Sequence, residues 1–251
     1  MAVGDDAGAP AVDVSVVVAC YKEAPHLDAS MAETFRVLDA LSWTWEVIFV
    51  DDASPDDTRA VIERIVRAHP DRRLRTLWHD RNVGRGGTVT DGLRLATGRF
   101  AGFFDIDLEV HPRYLLPCLL ELERGADVVS AQRVYRFQWR SFDRYVLSRG
   151  YQWLLRRLIR VPIVDTETGF KFFRREPILP ILSACADTGW FWDTEIMVRA
   201  HYAGLRMVEV PALFVRRFDK QSTVRPLRDT LDYLMKIWRF RPVVRALRGR
   251  R

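Results

Sequence analysis

Four short apolar runs, alternating with amphipathic helical patterns, restrict this chain to a layered α/β architecture. The runs are Val14–Ala19, Trp45–Val50, Leu74–Trp78 and Phe100–Phe104. Each is short and rich in β-branched or aromatic residues, as strands buried on both faces are. Between them, Leu27, Met31, Phe35 and Leu38 recur at helical spacing over roughly 25–41. Val61, Ile62 and Ile65 recur over a second helix that stops before Pro70. That helix is expected to begin at Ser54-Pro55-Asp56-Asp57, with Ser54 as cap and Pro55 in the first turn. A third helix is expected over Gly86–Ala96 and a further strand at Val128–Ala131. Such alternation predicts parallel strands joined by right-handed crossovers. Ligands in these sheets bind beyond the carboxyl ends of the strands. Asp51-Asp52 and Asp105-Ile106-Asp107 both fall at such ends, so one crevice is expected to hold both pairs.

The second acidic block carries the most chemistry. In Phe103-Phe104-Asp105-Ile106-Asp107-Leu108-Glu109, three carboxylates alternate with apolar residues. On an extended strand, Asp105, Asp107 and Glu109 would share one face. Three such carboxylates repel one another unless a cation lies among them. Hard oxygen ligands favour Mg²⁺ or Mn²⁺, and Mg²⁺ commonly bridges carboxylates to substrate phosphates. The block therefore predicts a divalent-metal site that holds a diphosphate, against the plainer alternative of a solvated acidic loop.

Composition narrows the remaining options. At 251 residues and 48% hydrophobic, the chain suffices for one large core. Lys and Arg outnumber Asp and Glu by 39 to 33, a balance that admits nucleic acid or an anionic membrane surface as partner. The acidic sites and the lack of a nucleic-acid-binding signature argue against nucleic acid, although arginines and aromatics interleave over residues 133–160. Cys20, Cys118 and Cys185 are far apart, with no CxxC pair, and read as reduced core thiols of a cytosolic protein. No leader and no transmembrane helix are expected.

Four ordered blocks carry a family resemblance. They are Val16-Val17-Val18-Ala19-Cys20-Tyr21-Lys22-Glu23, Val50-Asp51-Asp52-Ala53-Ser54-Pro55-Asp56-Asp57-Thr58, Asn82-Val83-Gly84-Arg85-Gly86-Gly87 and Asp105-Ile106-Asp107. In order and spacing they resemble the family 2 inverting glycosyltransferases. Within that family the chain is most similar to the dolichyl-phosphate mannose and glucose synthases and their bacterial polyprenyl-phosphate relatives. The resemblance spans residues 14–225 and implies a GT-A fold: a single Rossmann-like, mostly parallel sheet flanked by helices. It further implies a nucleotide-sugar donor and a divalent metal, Mg²⁺ or Mn²⁺.

Carried over by position, Tyr21 and Glu23 resemble residues that line the base and ribose, with Ala19 standing where the mannose synthases have Pro. Val50 and Asp52 resemble the base-reading pair, for which uracil and guanine both offer ring N–H groups. Asp105, Ile106 and Asp107 resemble the donor- and metal-binding block, and Glu109 takes the place of a metal-binding Gln. Gly84-Arg85-Gly86-Gly87 fails the dinucleotide fingerprint, because the sixth position is Val89. Its glycines suit either backbone approach to phosphate at a helix N-terminus, with Arg85 as counter-charge, or a plain tight turn. Arg133 and Arg217 resemble acceptor-phosphate ligands. Thr223 stands where the family has Lys, and Lys220 is the substitute cation. Thr166-Glu167-Thr168-Gly169-Phe170-Lys171 and Trp192-Asp193-Thr194-Glu195 resemble the acceptor-side blocks, the second carrying Asp193 and Glu195. They are candidates for a base or for orienting the acceptor, with pairing to arginines such as Arg199 as the structural alternative.

The expected reaction is metal-dependent, inverting transfer of a sugar from a GDP-mannose- or UDP-glucose-type donor to a polyprenyl phosphate. A saccharide or small-molecule hydroxyl acceptor is the alternative. The expected organisation is a flexible stretch over 1–12, a catalytic domain over 13–225, and a basic amphipathic helix and tail over 226–251. Leu227, Leu231, Leu234, Ile237 and Trp238 recur at helical spacing beside Arg228, Lys236, Arg239 and Arg241. That helix either packs on the core or lies in an anionic membrane interface. A cytoplasmic protein, peripheral at the membrane face, is the resulting expectation.

Overall fold

The computed structural model describes residues 12–135, 161–215 and 226–249. The first half alternates as expected: β1 (Val14–Cys20), α1 (Leu27–Asp39), β2 (Trp45–Asp51), α2 (Thr58–Ala68), β3 (Leu74–Trp78), α3 (Arg85–Leu95) and β4 (Phe100–Phe104). A 3-10 turn (Pro112–Tyr114), α4 (Leu115–Glu123) and β5 (Val128–Tyr135) follow. The second half adds β6 (Phe170–Arg174), α5 (Arg175–Ala184), α6 (Trp192–Tyr202), β7 (Met207–Phe214) and α7 (Pro226–Arg248).

The strands form a seven-stranded sheet in the order β3-β2-β1-β4-β6-β5-β7. β1 pairs in parallel with β2 and β4, and β6 runs antiparallel to both its neighbours. The chain leaves β1 towards β3 and then returns through α3 to β4 on the other side of β1. That reversal places the topological switch point, and hence the crevice, at the carboxyl ends of β1 and β4.

Side chains of β1 alternate between two cores. Val14, Val16 and Val18 face α1, α2 and α4 through Leu27, Met31, Phe35, Ile62, Leu115 and Leu119. Val17 faces the other layer, with Val89 and Leu93 of α3, Ile178 of α5, Ile196 of α6 and Ile237 of α7. A strand covered on both faces must be apolar at every position, which is why β1 reads as a continuous Val run.

Two sequence expectations need correction. α2 begins at Thr58, not at Ser54. Ser54 Oγ instead accepts the Lys22 N–H at 3.0 Å, and the left-handed Ala53 keeps the segment out of helix. The pattern that reads as helix over Leu227–Phe240 and as an Arg-rich tail over Arg241–Arg251 does not divide there. The helix runs to Arg248 with Pro242 inside it, and Val244 is buried against the body. Its inner face, Ile237, Phe240 and Val244, packs on the core, while Met235 and Trp238 are exposed. The apolar spacing therefore belongs to two faces: Ile237 points in and Trp238 out. The side chains of Leu227, Leu231 and Leu234 lie outside the described residues.

Candidate functional site

The carboxyl edge of the sheet is built from loops with unusual backbone. Among the described residues, the non-glycine residues with left-handed φ are Lys22 (60°), Ala53 (55°) and Leu108 (55°). They follow β1, β2 and β4 respectively. Such conformations cost of order 1–3 kcal/mol each and persist where the surroundings over-determine them. Here the loops hold one another. Asp52 N–H donates to Cys20 O at 2.9 Å, and Thr58 Oγ1 accepts from Glu23 and Ala24 N–H at 2.8 and 3.0 Å. The two Thr58 bonds fix the Glu23 end of the Tyr21–Glu23 turn. Tyr21 itself is 43% exposed at the mouth of the crevice.

Asp52 lies in that edge, with its carboxylate directed at the third loop. Its Oδ1 accepts from Val83 N–H at 2.8 Å and meets His79 Nδ1 at 2.9 Å, while Oδ2 accepts from Gly84 N–H at 3.0 Å. A carboxylate has about four acceptor sites, so three protein partners leave Asp52 about one. The neighbouring Asp51 is also buried, and its Oδ1 has no hydrogen-bond partner among the described residues. Val50 and Ile106 are core side chains on opposite layers, and Ala19 is partly buried on the Val50 side.

The glycines of the third block also have a packing role that the sequence did not indicate. Gly84, at φ 92°, has a backbone an L side chain rarely adopts, and an added Cβ would sit 2.6 Å from Thr188 O. The α3 N-terminus packs on the 188–192 segment, and Gly87 N–H donates to Thr188 O at 3.0 Å. Packing against the protein's own chain is what removes the side chains here.

Arg85 extends from that helix end into the crevice. Its Nε and Nη2 donate to Asp105 Oδ1 at 3.1 and 2.7 Å, and its Nη1 donates to Asp193 Oδ2. The guanidinium carbon lies 5.3 Å from the Phe103 ring centroid and 5.2 Å from that of Trp190. Lys171 Nζ donates to Asp193 Oδ1 at 2.6 Å and to Thr168 O. Two cations and two anions thus alternate: Lys171, Asp193, Arg85, Asp105. Burial opposes the Arg85 charge, but Asp105 and Asp193 outweigh it and hold its pKa above the ordinary value. Burial pushes the Lys171 ammonium below its usual pKa, and Asp193 only partly offsets this. Sequence reading did not single out Lys171 for this role. Its signals are its place at the end of the Thr166–Lys171 block and in Gly169-Phe170-Lys171-Phe172-Phe173, where a lone Lys interrupts an apolar strand.

The acidic block departs from the expected geometry. β4 ends at Phe104, and residues 105–108 turn, with Leu108 N–H donating to Asp105 O at 3.1 Å. The alternation that put Asp105, Asp107 and Glu109 on one face applies only to extended backbone, so it fails here. Among the described residues, no cluster of three or more His, Cys, Asp or Glu is placed to hold a metal. Asp107 Oδ1 accepts from Glu109 N–H at 3.2 Å, and Glu109 O accepts from Val215 N–H at 2.8 Å. Asp105 keeps a different feature. Its side chain is 42% exposed, Arg85 takes only Oδ1, and Oδ2 lies over Gly169, where an added Cβ would approach to 1.8 Å. One or two carboxylates completed by substrate phosphates are an ordinary Mg²⁺ donor set, and a half-exposed Asp105 with Arg85 on Oδ1 alone fits as one of its ligands.

On the acceptor side, Asp193 is 2% exposed and tied to Lys171 and Arg85. Glu195 follows the structural alternative. It pairs with Arg199 at 2.7 Å and accepts from Ala186 and Asp187 N–H at 3.0 and 2.8 Å. Arg133 forms a two-pronged pair with Asp165, at 2.7 and 2.9 Å. Asp165 N–H and Val164 N–H are held in turn by Glu209, both at 2.8 Å. Arg217 and Lys220 lie outside the described residues.

With this geometry in place, comparisons with known proteins give a consistent result. The profile described as glycosyl transferase family 2 matches residues 15–181. The chain is 32% identical over 238 residues to the glycosyltransferase AglD of Haloferax volcanii, covering 92% of this chain and 38% of that protein. It is 30% identical over 220 residues to a dolichyl-phosphate beta-glucosyltransferase of Drosophila melanogaster, covering 80% and 66% respectively. The chain thus spans less than two thirds of the length of these two relatives. The fold is similar to that of the mannosyltransferase PcManGT from Pyrobaculum calidifontis, solved in complex with GDP-Man and Mn²⁺. That match has a TM-score of 0.59 at 19% identity and covers 94% of this chain and 69% of the other. Parallel sheet, acidic carboxyl edge and matched profile together place the chain in glycosyl transferase family 2.

Proposed function

We propose that this protein transfers a sugar, with inversion, from a nucleoside diphosphate donor to a polyprenyl phosphate, with the aid of a divalent metal. The observation that carries the reading is the state of Asp193, the candidate base. It is 2% exposed and bound to two cations, so a hydroxyl acceptor lacks an obvious proton acceptor there. A phosphate acceptor needs none, since a phosphomonoester with a second pKa of about 6 is already anionic near neutrality. The similarity to a dolichyl-phosphate beta-glucosyltransferase supports the same acceptor class.

In this reading Tyr21, Glu23 and the Asp52 loop form the nucleotide end of the crevice. Asp105 and Asp107 would hold Mg²⁺ or Mn²⁺, which neutralises charge on the leaving diphosphate. Arg85 stands beside them with N–H groups suited to phosphate oxygens. Arg133, braced by Asp165, and Arg217 would hold the acceptor phosphate so that its oxygen attacks the anomeric carbon from the face opposite the leaving group. Trp238 and Met235 are exposed on α7, with Arg239 and Arg245 exposed on the same helix. An outward face of aromatic and basic residues suits an anionic membrane surface. Among the described residues no helix is long and apolar enough to cross a membrane, so peripheral contact is the mode proposed.

The test is a donor screen of the purified chain with UDP- and GDP-sugars and Mn²⁺ or Mg²⁺, with and without a short polyprenyl phosphate. Transfer that requires the lipid phosphate supports the reading. Equal transfer to the polyprenol lacking phosphate, or to a free saccharide, would overturn the acceptor assignment. Flotation with anionic liposomes tests the surface: binding should weaken at high salt and in Trp238→Ala, and no binding at low salt would reject it.

A further inference from the structure

The charge chain across the crevice is asymmetric. Arg85 joins two carboxylates that differ sharply in exposure, Asp193 at 2% and Asp105 at 42%. The Asp193 end is dry and locked from behind by Lys171, whose side chain is fully buried. Breaking it would strand a charge in the interior. The Asp105 end faces water, where an ion pair is weak and exchangeable. The guanidinium also lies near the Phe103 and Trp190 rings.

We propose that Arg85 is a built-in counter-cation for Asp105, exchanged for a divalent metal ion when the donor site is loaded. Held by Asp193, Arg85 then turns its freed Nε and Nη2 donors from Asp105 to the diphosphate. This rests on the metal-dependent donor reading above. The exchange follows from charge. A doubly charged ion outcompetes a singly charged guanidinium at an exposed carboxylate, while the incoming diphosphate offers the displaced N–H groups a bidentate partner. Asp193 and Lys171 act as positioning residues, since they keep Arg85 in the crevice after it has left Asp105. Two consequences follow. Arg85 opposes metal binding in the absence of nucleotide, and it strengthens the mutual dependence of metal and nucleotide binding.

The experiment is a Mn²⁺ titration of the full chain followed by electron paramagnetic resonance, without nucleotide and then with UDP or GDP. Arg85→Gln should bind Mn²⁺ about fivefold tighter or more without nucleotide, the lower end of coupling between linked sites. The tightening produced by nucleotide should shrink in the same variant. Unchanged or weaker nucleotide-free Mn²⁺ binding by a folded Arg85→Gln would overturn the proposal. A second measurement uses the protein unmodified at Arg85. Because Trp190 lies near the guanidinium, Mg²⁺ added in the presence of UDP or GDP should change tryptophan emission of the wild type and not of Trp190→Phe. An identical response in both would also overturn it. If the wild type takes up no Mn²⁺ even with UDP or GDP, the metal-dependent donor reading itself fails, and the exchange with it.

Discussion

The two edges of the same sheet bury carboxylates in opposite ways. At the amino edge, Glu46 is 3% exposed, and its Oε1 accepts from Ser15 Oγ at 2.6 Å and from Thr97 N–H and Oγ1, both at 2.8 Å. Its Oε2 faces Arg75 at 3.3 Å. The donors are mostly neutral, and they join β1, β2 and the turn before β4. At the carboxyl edge, Asp193 and Asp105 are balanced by full charges on Lys171 and Arg85, and the adjoining loops have left-handed backbone. Neutral satisfaction gives a fixed staple. Alternating full charges, one of them open to water, give an arrangement that a charged ligand can rearrange.

Lys171→Met tests the contrast most severely. It leaves Asp193 buried with one cation fewer, and breaking a buried pair costs about 3–5 kcal/mol. Urea denaturation should show that loss. The paired change Lys171→Met with Asp193→Leu should recover much of it, because no charge is left stranded. Recovery of stability without recovery of transfer would separate the two roles of the pair.

Asp105→Asn probes the exposed end. Its stability should stay close to wild type, since the ion pair lies largely in water. Transfer should fall by about 10²–10³, the scale for removing one charge-stabilising group. Gly169→Ala should resemble it kinetically, because its Cβ would sit 1.8 Å from Asp105 Oδ2 and must displace that carboxylate. Normal turnover in Gly169→Ala would mean that the position of Asp105 is unimportant.

At the amino edge the expected pattern reverses. Glu46→Ala should cost about 1–3 kcal/mol through unsatisfied buried donors, with little change in the turnover of the folded fraction. Its pH signature is the smallest effect. Burial pushes the Glu46 carboxyl up, but the bonds from Ser15 and Thr97 and the charge of Arg75 outweigh it, and the pKa lies below its ordinary 4.5. A lowered folded-state pKa stabilises above the unfolded value, and that stabilisation is lost as pH falls through the folded value. Wild-type stability should therefore decline below about pH 4.5 more steeply than that of Glu46→Gln. Parallel acid titrations of the two proteins would indicate otherwise.

The first half of the fold was legible because each signal is local. A Val run with two buried faces, a period of 3.6 in α1 and an acid pair at a strand end all lie within a few residues of one another. The second half was less legible. β6 is antiparallel in a mostly parallel sheet, and its central Lys171 conflicts with an apolar strand until Asp193, 22 residues away, supplies the counter-charge. Likewise, the sequence placed Arg85 near phosphate, yet its partners come from β4's following turn and from α6. The spacing of Ile237 and Trp238 gave one stripe, where packing divides them between the core and the surface.

Hydrophobic periodicity and the four ordered motifs were enough to determine the class of sheet, the end of its strands that carries the acid pairs, and the family. They act over short spans, and a strand or helix exposes its period to any reader. Tertiary structure alone decided that Asp105, Asp107 and Glu109 do not share a face, that Asp52 holds the Gly84 loop, and that Lys171, Asp193, Arg85 and Asp105 alternate in charge. Electrostatic partners are chosen by distance in space and by burial, and neither quantity is written in the spacing of residues along a chain.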